Sequence, residues 1–110
     1  MSGMLADSRK GAGPLAIVVL SLTLLVHPVH AADPVNGKKK YLQQCAMCHG
    51  KNGSPVMPDA ADFRKGDGLF KSDQALMSRI QDGGDACPGY WGILKEKEIL
   101  DVISYLRTLY

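Results

Sequence analysis

The chain carries Cys45-Ala46-Met47-Cys48-His49, two thiols three residues apart followed at once by an imidazole. The pattern C-x-x-C-H reads as covalent attachment of a c-type heme. Two sulfurs must reach two vinyl groups on adjacent rings of one porphyrin, and two intervening residues on a helical turn set that separation. The next residue then lies beneath the iron, where imidazole Nε2 can coordinate it. Cys45 and Cys48 are thus the expected attachment points and His49 the expected proximal ligand. Two other chemistries use the same residue types. Cys45, Cys48, His49 and Cys87 would make up the four ligands of a structural zinc site, but adjacent Cys48 and His49 suit a zinc knuckle poorly. A thioredoxin-like redox pair needs a βαβ setting, and no strand pattern surrounds the motif.

The elements that must position these residues follow a leader. Arg9 and Lys10 precede Leu15–Val26, an apolar run broken only by Ser21 and Thr23, and Val29-His30-Ala31 then offers small residues at −3 and −1. This order predicts a secretory signal peptide over residues 1–31, cleaved after Ala31. The run is shorter than the ~20 residues of a bilayer span, so no membrane span is expected in the mature form; an uncleaved leader would act as an anchor. Either way the domain, residues 32–110, works outside the cytoplasm, with the periplasm as its expected location. Removing residues 1–31 from the 110 leaves 79, with His49 as the sole histidine and all three cysteines retained. A domain this small needs a staple, and heme supplies one. The whole chain has 13 basic and 11 acidic side chains, a formal charge of +2, too even to argue for nucleic-acid binding.

Helical signals bracket the motif. Asp33 is a plausible N-cap with Pro34 at the first helical position, and Gly37 and Tyr41, four apart, share a face. Ser72 can cap a second helix whose Leu76, Met77 and Ile80 share a face and which Gly83-Gly84 stops. Near the C-terminus Ile99, Val102, Ile103, Leu106 and Leu109 form an amphipathic stripe. Lys51–Leu69, rich in Gly, Pro, Asp and Asn, reads as loop. No stretch alternates with period two, so the expected fold class is all-α.

These blocks together resemble the small class I bacterial c-type cytochromes over about Pro34 to Tyr110. They are the helix with Gly37 and Tyr41 leading into Cys45-Ala46-Met47-Cys48-His49-Gly50, the segment Ser72–Ile80 with Gly83-Gly84, and Glu98–Arg107. The resemblance implies the cytochrome c fold, three to four helices around one covalently attached heme c. It implies that Gly37 lets the first and last helices cross closely. It implies that the loop after the motif wraps the heme edge, and that a proline carbonyl there accepts the proximal histidine's Nδ1–H; Pro55 is the candidate. In this family the sixth iron ligand is a methionine in a Met-Pro pair shortly before the last helix, where this chain reads Cys87-Pro88.

Cys87 is an odd thiol in an oxidising compartment, and four accounts of it are open. It ligates the iron as a thiolate, the expectation carried forward here, giving His49 and Cys87 as metal ligands. Alternatively it is a free buried thiol, it bonds a partner chain, or Met57 or Met77 takes the iron. The resemblance implies a periplasmic electron carrier rather than a catalyst, docking on redox partner proteins, with Lys38, Lys39 and Lys40 as either a docking cluster or a solvated helix face. Two other functions are a small heme subunit of a thiosulfate-type oxidising enzyme and a ligand-binding heme sensor.

Overall fold

The computed structural model describes residues 30–110 together with Gly3 and Gly11, so the apolar run of the expected leader lies outside the described residues. From Pro34 the chain forms α1 (Pro34–Gln44), α2 (Ala46–His49), a 3₁₀ turn (Phe63–Lys65), α3 (Asp73–Asp82) and α4 (Glu96–Leu106), with no strand among the described residues. The all-α expectation holds at four helices. No helix among the described residues is long and apolar enough to cross a membrane.

Local signals account for most helix boundaries. The Asp33 carboxylate accepts the Val35 and Asn36 amides at 2.9 and 3.2 Å, and Pro34 opens α1 where no intrahelical donor is required. Ser72 Oγ accepts the Ala75 amide at 3.2 Å to start α3. Gly83, at φ 72°, ends α3 in a backbone conformation that a side chain would strain, and its amide closes on the Arg79 carbonyl. At the start of α4 the Glu98 carboxylate reaches back to the Lys95 amide at 2.9 Å, the return half of a capping box. α4 stops at Leu106, so Leu109 lies past the helix, where it still packs on the core.

α4 is the shared wall of two apolar clusters. Its Val102, Tyr105 and Leu106 pack with Tyr41 and Leu69, while Ile99 and Ile103 pack with Leu76, Met77, Tyr90 and Leu94. Each fully buried aliphatic side chain here is worth roughly 1.5–3 kcal/mol relative to exposure. The two crossing helices meet at Gly37, whose Cα sits against the Asp101 carbonyl of α4; a Cβ there would stand 1.9 Å from that oxygen. The close approach that the family resemblance implied at Gly37 is therefore present. Lys40 adds an ion pair to Glu98 at 2.6 Å, so one member of the expected basic cluster fastens α1 to α4 while Lys38 and Lys39 face solvent.

The apolar stripe of α4 contains a charge that the sequence reading passed over. Asp101 is fully buried and accepts hydrogen bonds from the Asp33 amide at 2.7 Å, Asn36 Nδ2 at 2.7 Å and Lys97 Nζ at 2.9 Å. Burial alone raises this carboxyl, but these donors together outweigh it and hold it below its ordinary value. Such a group takes up its proton more readily in the unfolded chain. Its stabilisation is complete above the unfolded value of about 3.9 and is lost as the pH falls through the lower folded value. Asp101→Asn is expected to cost about 1–3 kcal/mol at neutral pH, since three donors lose a charged acceptor. It should also flatten the acid limb of the stability profile. Urea unfolding from acid to neutral pH measures both, and an acid limb identical to that of the parent would show that the carboxylate contributes nothing.

Candidate cofactor site

α2 is a single turn of helix, and it is what sets the spacing of the motif. The His49 amide donates to the Cys45 carbonyl at 3.0 Å and the Gly50 amide to Ala46 at 2.9 Å. This turn puts Cys45, Cys48 and His49 on the wall of one cavity of about 500 Å³. The intervening Met47 points away and is 87% exposed. The same cavity is lined by Leu76 and Ile80 of α3 and by the turn that carries Cys87. The sequence thus brings all four expected ligand groups to a single space.

The imidazole is held from behind. His49 Nδ1 lies 3.1 Å from the Ala61 carbonyl oxygen, and the ring stacks on Phe63 with centroids 4.4 Å apart. A carbonyl only accepts, so Nδ1 carries the proton and Nε2 keeps its lone pair for a metal. Here the structure corrects the expectation for Pro55. The amides of Val56 and Met57 both bond the Cys48 carbonyl, and the Phe63 amide bonds Gly53 at 2.9 Å. The loop is thereby folded back so that Ala61, not Pro55, passes beneath the ring.

Tyr41 supports the same turn from the core. Its hydroxyl donates to the Gly50 carbonyl at 2.6 Å, and its fully buried ring packs on Tyr105 and Phe63. Burial, followed by the nearby Cys45 and Tyr105, pushes this phenol up to about 12, so it stays a neutral donor. Tyr41→Phe keeps the packing and removes the shorter of two hydrogen bonds to the Gly50 carbonyl, which keeps the Gly53 amide at 3.3 Å; a loss of about 1 kcal/mol is expected. Thermal unfolding of the heme-loaded protein checks it, and an unchanged midpoint would show that the hydroxyl is dispensable.

On the distal side Cys87 is half-buried at the cavity wall. Burial pushes the Cys45 thiol up to about 12, with smaller contributions from Cys87 and then Cys48. The alternative methionines separate. Met77 belongs to the α3–α4 core and is not on the cavity wall, whereas Met57 is on the wall and half-exposed. No three His, Cys, Asp or Glu side chains among the described residues converge as a ligand set for one ion, which the zinc reading would require. The candidate residues instead line a space of the size that takes a cofactor, with apolar side chains predominating over the charged Asp59, Asp67, Lys71, Arg79 and Asp85. The fit is to a planar metal macrocycle held by sulfur on one edge.

Helices of this order around such a cavity define a small mono-heme c-type cytochrome, with one covalently bound heme c as its cofactor, serving electron transfer. Residues 34–110 match the cytochrome c family, and the chain belongs to it. Among individual proteins it is similar to cytochrome c6 of Synechococcus sp. strain PCC 6312, 34% identical over 95 residues covering 84% of this chain and 85% of that one. Cytochrome c6 of Nostoc sp. strain PCC 7120 is 31% identical, covering 83% and 87%. Among solved structures, the c-type cytochrome KustC0563 superposes with a TM-score of 0.61 at 25% identity, covering 66% of this chain and 95% of that one. Cytochrome c6 from the diatom Phaeodactylum tricornutum shares the fold at a TM-score of 0.59 and 24% identity, covering 70% and 93%.

Proposed function

We propose that this chain is an exported electron carrier whose heme is bonded through Cys45 and Cys48, with His49 and Cys87 on the two faces of the iron. Bound there, the group supplies a reversible one-electron change at iron; the protein supplies ligands, burial and an edge for transfer. The observation that carries the reading is the convergence of Cys45, Cys48, His49 and Cys87 on one apolar cavity. His49 is oriented by Ala61 and Phe63, and the Cys87 turn lines the same cavity. Residues 1–31 act as a secretory signal and 32–110 as the working domain, which places the carrier in the periplasm. The leader's charge and apolar pattern support this, as does a family match that begins at residue 34. Its partners are redox proteins. With two heme propionates the mature net charge is about −1, so global electrostatic steering is weak.

Optical and EPR spectra of the oxidised protein test the ligand set. A low-spin ferric thiolate signature is expected, and a high-spin spectrum would remove Cys87 from the iron. Carbon monoxide binding by the reduced parent protein would favour a ligand-binding sensor. Turnover with thiosulfate would favour a subunit of a sulfur-compound oxidising enzyme. N-terminal sequencing of the secreted product is expected to begin at Ala32.

A further inference from the structure

α3 presents Leu76, Arg79 and Ile80 to the cavity at i, i+3 and i+4. A cation thus occupies a position between two apolar residues of the wall, and Arg79 is the only basic residue in that helix. Its guanidinium lies over the turn that carries Cys87. A Cβ built on Gly84 would stand 2.6 Å from Arg79 Nη2, and the Gly84 amide donates to the Cys87 carbonyl at 2.9 Å. The ion pairs among the described residues join Lys40 to Glu98, Lys65 to Asp62, Lys97 to Asp101 and Arg107 to Asp73, and none takes up Arg79. Asp85 shares the cavity wall without pairing with it. The remaining charges on the wall, Asp59, Asp67 and Lys71, come from the connecting loops.

We propose that Arg79, an exposed cation lining the heme cavity, raises the midpoint potential by favouring the reduced form. This rests on the reading that the paired cysteines and His49 hold the heme. Reduction adds one electron, and so one negative charge, to the iron site without an accompanying proton. A fixed positive charge lining the cavity is attracted to that added charge, although solvent on its exposed side screens part of the attraction. A guanidinium cannot release its proton to escape the field, so its effect is constant over the working pH range. It partly offsets the lowering of the potential by a thiolate ligand.

The test is potentiometry of the heme-loaded parent, Arg79→Gln, Arg79→Met and Arg79→Lys, with the oxidised optical spectrum of each. Arg79→Gln and Arg79→Met are expected to shift the one-electron equilibrium about tenfold toward the oxidised form, about 59 mV, while Arg79→Lys stays within twofold of the parent. Unaltered axial-ligand bands would show that the site itself is intact. Because Arg79 is exposed, the shift should shrink as salt is raised to about 1 M, where charges are screened within about 3 Å. Equal potentials in all four proteins at low salt would overturn the proposal. A colourless parent would instead sink the heme-site reading beneath it.

Discussion

Replacing Cys87 by methionine is expected to raise the midpoint potential of the heme-loaded protein by a few tenths of a volt, within the roughly 0.8 V over which axial ligands tune heme iron. A thiolate is an anion and donates strongly, so it stabilises ferric iron; a thioether is neutral and favours the ferrous form. Cys87 lines the same cavity as the oriented imidazole and is followed by Pro88, the register in which the family carries a Met-Pro pair. The substitution should replace the thiolate spectrum by a methionine-type one. Cys87→Ala is the companion measurement. It should open the sixth position and admit carbon monoxide to the reduced protein. If neither variant changes the potential or the spectrum, Cys87 is not on the iron, and Met57, the other free sulfur on the wall, becomes the residue to replace.

Gly37→Ala is expected to be the most destabilising single change in the helical scaffold. The added methyl would lie 1.9 Å from the Asp101 carbonyl oxygen, 2.4 Å from its carbon and 2.9 Å from the Val102 nitrogen. All three are backbone atoms of α4, so no side-chain rotation relieves the clash and the helices must separate by more than an ångström. Separation strains the Asp33–Asp101 and Lys40–Glu98 links and lifts Tyr41 from Tyr105. Overpacking of this kind costs about 3 kcal/mol or more. At 4–8 °C per kcal/mol for a domain this size, Tm should fall by roughly 10–20 °C. A scan of the heme-loaded variant measures it, and a fall of under ~3 °C would mean the crossing yields easily.

What could be read from the sequence was local. Asp33, Pro34 and Ser72 announce helix starts because the cap and the amides it satisfies are two or three residues apart. The C-x-x-C-H spacing announces the cofactor because all its chemistry fits within one helical turn. Cys87 stood out by its register before the last helix, not by any contact. Non-local choices were not legible. The acceptor behind His49 is a main-chain carbonyl, which any residue offers; only the loop's folding selects Ala61, and so Pro55 was the wrong expectation. Asp101 was hidden inside an apolar stripe, although Lys97 four residues earlier was a usable sign that the charge is partnered. Arg79 was likewise visible in principle, as a cation at helical spacing between Leu76 and Ile80. Its significance needs the cavity, which the sequence does not display.

The Tyr90 hydroxyl donates to the Gln44 carbonyl at 2.7 Å. Gln44 immediately precedes Cys45, and Tyr90 follows Cys87 by three residues, so one bond latches the two jaws of the pocket together across 46 positions of chain. The segment that leads into the Cys45 turn is therefore tied to the segment that follows Cys87 by a bond within the protein itself. Any widening of the cavity between these two segments would have to break that bond.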